Sequence, residues 1–107
     1  MNACMIYVAT SGPAESKKMA KVLVSERLIA CANIVESVTS IYRWEGEIQC
    51  DQESLLIAKT NHARREAAMA RLTDLHSCDT PCIVAYDMAA GAPPYLDWLV
   101  QETEAPQ

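Results

Sequence analysis

Cys4–Ala9 (CMIYVA) is a short apolar run of strand-forming residues that stops at Thr10-Ser11-Gly12-Pro13, a turn cluster that also supplies helix-starting residues. From Ala14 the pattern takes a helical period. Ala20, Leu23, Val24 and Leu28 fall on one side, with Lys17, Lys18, Lys21 and Glu26 largely elsewhere, which predicts a helix over Ala14–Leu28. Asn33–Trp44 (NIVESVTSIYRW) and Glu47–Thr60 (EIQCDQESLLIAKT) are two long strand-like runs around Glu45-Gly46, and they read as a hairpin in which Gly46 takes positive φ. Asn61 is a candidate N-cap for a helix over His62–Leu75, on which Ala68, Met69, Leu72 and Leu75 share a face. A loop, His76–Pro81, leads to a strand over Cys82–Met88. After Gly91-Ala92-Pro93-Pro94 comes a short amphipathic helix over Tyr95–Thr103, with Leu96, Leu99 and Val100 as its apolar set. The order β-α-β-β-α-β-α predicts an α+β fold: a ferredoxin-like βαββαβ antiparallel sheet with helices on one face, a long hairpin and a short C-terminal helix.

A strand of about 12 residues spans ~40 Å at ~3.3 Å per residue, whereas a 100-residue globule is only about 35 Å across. The hairpin should therefore overhang its own body, carrying Ile41, Tyr42 and Trp44 with it. Such an edge is an aggregation hazard unless it is used, and pairing with copies of the same chain is the expected use. The alternative is a bent or bulged hairpin that folds back on the monomer. Trp98, on the last helix, is expected to anchor a subunit contact.

At 107 residues, half of them apolar, the chain has material for one domain over 1–107 with a real core. A formal charge of -5 lacks the basic footprint of a nucleic-acid binder, and the aromatic pattern of RNA-recognition sheets is missing around Tyr42 and Trp44. No apolar run approaches the ~18 residues of a membrane span, and Met1–Thr10 has no basic signal-peptide region, so a cytoplasmic protein is expected. Five cysteines, an odd number, argue for free thiols that pack, bind metal or oxidise rather than for a disulfide framework.

The densest chemistry lies in His76-Ser77-Cys78-Asp79-Thr80-Pro81-Cys82. Imidazole, thiolate and carboxylate there make His76, Cys78, Asp79 and Cys82 a candidate site for copper or another divalent cation, against the plainer reading of small packed thiols. Cys31 is a more distant candidate ligand and otherwise a packed thiol; Cys4 and Cys50 carry only a risk of oxidation. Arg43 and Lys59, with Arg27, are candidates for an anion cleft between subunits, although no phosphate-cradling glycine loop can be written from three glycines. Pairing of Arg43 with Glu45 or Glu47 is the plainer alternative. The loop after the first strand has no arginine to cradle an anion, and no nucleophile elbow or other catalytic spacing occurs, so no enzyme is expected.

Arg27-Leu-Ile-Ala-Cys31-Ala-Asn33-Ile, Thr39-Ser40-Ile41-Tyr42-Arg43-Trp44-Glu45-Gly46-Glu47, Lys59-Thr60, His76…Pro81 and the ending Gly91…Tyr95-Leu96-Asp97-Trp98-Leu99 resemble the CutA divalent-cation tolerance family over nearly the whole chain. The resemblance implies a ferredoxin-like homotrimer paired through its long hairpins, akin to PII signalling proteins, with a role in tolerance of copper and other divalent ions and no established catalysis. It also implies a copper ligand set of a first-strand cysteine with a histidine and a glutamate of the loop. In this chain the matching positions hold Ala9, His76 and Cys82. The runner-up readings are a PII-like sensor of a small anionic metabolite and a trimeric scaffold for another protein.

Overall fold

Burial alternates along the first strand, β1 (Ala3–Thr10): Cys4, Ile6, Val8 and Thr10 are fully covered, while Met5, Tyr7 and Ala9 stay half-buried. That two-residue period sends one face of the sheet to the helices and leaves the other open. The computed structural model describes residues 2–104, so Met1 and residues 105–107, at the ends of the expected domain, lie outside the described residues. Beyond β1 come α1 (Pro13–Ser25), β2 (Cys31–Trp44), β3 (Glu47–Asn61), α2 (His62–Leu75), β4 (Ile83–Asp87) and α3 (Pro93–Glu102). The strands form one sheet in the order β2-β3-β1-β4, antiparallel at every junction. This is the expected α+β, ferredoxin-like arrangement.

Ile6, Val8, Leu56 and Ala58 of the sheet meet Met19 and Leu23 of α1 and Ala68 and Leu72 of α2 in the main core. A smaller cluster of Ala3, Ala30 and Leu99 seats α3. Asn61 is the N-cap of α2, its Oδ1 accepting from the Arg64 amide at 3.1 Å. Its Nδ2 donates to Thr103 Oγ1, so the start of α2 is tied to the end of α3.

Helix α1 stops short of the predicted Leu28, and its buried stripe is Ser16, Met19, Ala20 and Leu23, with Val24 largely exposed. The cause is a Schellman ending. The Leu28 amide donates to the Leu23 carbonyl at 2.9 Å and the Arg27 amide to Val24 at 3.1 Å, with Arg27 at φ 59 where glycine is usual.

β2 and β3 pair from Cys31↔Lys59 to Trp44↔Glu47, with a register shift between Val35 and Val38. Glu45 (φ 50) and Gly46 (φ 81) both take positive φ, the signature of a two-residue turn matched to strand twist. The bulge does not fold the hairpin back. The described residues extend 47 Å along one axis against 26 and 21 Å on the others, and Ile41 and Ile48 near the tip are 70% and 71% exposed.

Four buried or part-buried hydroxyl contacts support the bulge. Ser54 donates to the Val35 carbonyl (3.1 Å), Ser16 lies 2.9 Å from Ser54 and 2.7 Å from Thr10, and Thr10 donates to the Gly12 carbonyl (3.1 Å). Three hydroxyl hydrogens serve these four contacts.

Candidate functional site

The loop between α2 and β4 is strapped to the end of β1 by backbone groups. Ala9 donates its amide to the Cys82 carbonyl at 3.1 Å. The Ala9 carbonyl accepts from His76 Nε2 at 2.7 Å, and His76 Nδ1 accepts from the Cys78 amide at 3.0 Å. A carbonyl can only accept and an amide N–H can only donate, so the imidazole here is the neutral Nε2–H tautomer with both nitrogens engaged. Ala9, contributed by sheet geometry alone, therefore holds the backbone at Cys82 directly and that at Cys78 through the His76 imidazole.

A second strap comes from α1. Glu15 Oε1 accepts from the Ser11 amide and Oε2 from the Ser77 amide, each at 2.9 Å. Burial works against its charge, but donation from the Ser11 and Ser77 backbone and hydroxyl groups holds its carboxyl below the ordinary value. Glu15→Gln is expected to loosen this loop, read as faster amide exchange at Ser77. Because the native value is depressed, the strap is complete above pH 4.5, the ordinary value, and is lost as pH falls through the lower native one. Exchange at Ser77 that is unchanged in the variant and across acid pH would contradict this role.

His76, Cys78 and Cys82 line a cleft of about 640 Å³ whose other walls include Tyr7, Tyr42 and Trp44. Cys78 and Cys82 are exposed and in no disulfide. Tyr42 donates to Asp51, and that bond, with some burial and the nearby charges of Asp51, Glu53 and Cys78, pushes its phenol up to about 12. Asp79 is exposed and lies outside this cleft lining. Among the described residues, no three of His, Cys, Asp and Glu gather closely enough to surround one ion.

Cys31 is elsewhere. Its Sγ lies 3.2 Å from the Tyr95 hydroxyl, whose pKa burial first and then the Cys31 contact push up to about 12. Tyr95 also faces the half-exposed Trp98 (ring centroids 5.6 Å) and the Lys59 ammonium (5.8 Å), while Lys59 Nζ donates to Asn33 Oδ1 at 2.7 Å. Arg43 sits at the far end of the hairpin with Nη1 3.5 Å from the Gly46 carbonyl, so one chain does not bring Arg43 and Lys59 together. Neither Glu45 nor Glu47 pairs with it among the described residues. Cys4 is fully buried, with burial first pushing its thiol up, so it does not share the expected oxidation risk. Glu15 was legible in part: it lies at the third helical position, where a carboxylate reaches back to amides before the helix.

Residues 4–102 match the family described as CutA1 divalent ion tolerance protein. The chain belongs to this family. It is 42% identical over 99 residues to the "Divalent-cation tolerance protein CutA" of Thermus thermophilus, covering 92% of this chain and 96% of that one. Against "Protein CutA, chloroplastic" of Arabidopsis thaliana it is 37% identical over 99 residues, 92% of this chain but 54% of that one, so it spans about half the length of this plant relative. The crystal structure of CutA from Xylella fastidiosa superposes with a TM-score of 0.94 at 34% identity, covering 97% of this chain and 100% of that one. The family description concerns tolerance of divalent ions and names no reaction. No described helix is long and apolar enough to cross a membrane.

Proposed function

We propose that the chain, a single domain over 1–107, is a non-catalytic, cytoplasmic homotrimer that binds or senses divalent metal ions, copper foremost. The observation carrying the metal reading is that His76, Cys78 and Cys82 line one cleft, on a loop anchored to β1 and α1. Asp79 supplies a further carboxylate on that loop, and Cys31 stands apart with Tyr95. The trimer reading rests on β2, an edge strand of 14 residues whose outer side has no neighbour in the sheet among the described residues.

Titrating the reduced protein with copper, zinc and cobalt tests this. Stoichiometric binding is expected, and it should disappear in the Cys78→Ser/Cys82→Ser double variant. No metal effect, together with a rise in heat stability on adding small carboxylates, would overturn the metal reading in favour of a PII-like sensor at Arg43 and Lys59 of neighbouring copies. No response to either would leave the scaffold reading, to be checked by pull-down.

A further inference from the structure

We propose that the hairpin side of the cleft binds an organic ammonium ion, a small amine carrying an apolar body, at the Glu53 carboxylate and the rings of Tyr42 and Trp44. The inference goes beyond the metal reading and uses neither the imidazole nor the thiols of the loop between α2 and β4.

Strand register brings these groups together. Ser54 and Leu56 of β3 are fully buried toward the helices, so Asp51 and Glu53 stand on the open side of the sheet. On β2, Ser40, Tyr42 and Trp44 lie opposite Asp51, Gln49 and Glu47 and share that side. Tyr42 donates to Asp51, and the charges of Asp51 and Glu53 both act on its phenol. The ring and the two carboxylates are therefore within electrostatic reach of one another. Tyr42, Trp44 and Glu53 line the cleft, and Asp51 stands just outside its lining.

The charge balance selects the ligand. Glu53 is half-buried, belongs to none of the ion pairs among the described residues, and shares the cleft with no Lys or Arg. A carboxylate partly withdrawn from water without a counter-ion favours a cation beside it, and Asp51 adds to the same field. Calcium asks for six to eight oxygen ligands, and no three of His, Cys, Asp and Glu gather closely enough among the described residues. An organic ammonium asks only for a counter-charge and aromatic surface, and Trp and Tyr are the best of the aromatic partners. The cleft, about 640 Å³, falls in the range of roughly 300–1,000 Å³ that small organic ligands occupy.

The test follows backbone amide shifts of the reduced full chain as benzylammonium is added at constant ionic strength. Benzyl alcohol serves as its uncharged match, and tetramethylammonium as the quaternary arm. A saturable response to benzylammonium is expected at Tyr42, Trp44 and Glu53, with none to benzyl alcohol; this comparison needs no variant. Glu53→Gln should weaken binding about tenfold or more, as loss of the counter-charge requires. Tyr42→Phe keeps the ring and should bind, whereas Tyr42→Leu should bind several-fold more weakly. Glu45→Gln, a carboxylate of the turn outside the cleft lining, should change nothing. The Cys78→Ser/Cys82→Ser double variant should bind the ammonium as before, so the outcome is independent of the metal reading. Binding of benzylammonium alone assigns the site to protonated amines, and binding of tetramethylammonium as well extends it to quaternary ones. Equal binding of benzyl alcohol, an equal loss in Glu45→Gln, or no saturable response to either ammonium would overturn the inference.

Discussion

Ile41→Asp combined with Trp44→Ala is expected to scatter as 11.8 kDa chains at micromolar concentration, where the proposed trimer has the unaltered protein scatter as three. The hairpin stands beyond the helices, with Ile41 70% and Trp44 50% exposed in a single chain, and no strand pairs with its outer edge among the described residues. Fully covering a large apolar side chain contributes about 1.5–3 kcal/mol, and with these fractions still open the two changes would remove roughly 2–4 kcal/mol from each proposed subunit contact. The aspartate also places a charge where a neighbour's surface would dry it. An unaltered protein that already scatters as one chain would end the trimer reading.

Leu56→Ala is expected to lower the unfolding free energy by about 2–5 kcal/mol in urea titrations of the reduced protein. Leu56 is fully buried, paired with Val8 on one side and Ile34 on the other, at the centre of the sheet beneath the helices. The hole left by its side chain would lie in the main core between the sheet and the two helices, where the surroundings relax only partially. Val24→Ala is the companion measurement. Val24 is 43% exposed, off the buried stripe of α1, and its loss should stay within about 0.5 kcal/mol. Equal losses for the two would mean that α1 is rotated from the orientation described.

The strands and the hairpin were legible because long β-branched runs around Glu45-Gly46 have no competing helical period. The end of α1 was not, since its left-handed residue is Arg27 rather than a glycine, and that error carried Val24 onto the wrong side. The candidate loop was legible as composition but not as geometry. Sequence presents His76 as a ligand, whereas the fold engages both its nitrogens with backbone groups, one of them on Ala9, sixty-seven positions away. No side-chain pattern announces a contact made by a carbonyl. The pairing of Cys31 with Tyr95 was hidden for a related reason: it depends on how α3 returns across the sheet, which only tertiary packing decides.

Thr10 and Ser54 each commit their hydrogen to a carbonyl, so the single hydrogen of Ser16 can point to one or the other but not to both. The interior beside the bulge thus has two alternative proton arrangements and keeps an orientational freedom that a fully saturated network would freeze. Rotation of one hydroxyl exchanges them, with no heavy atom obliged to move.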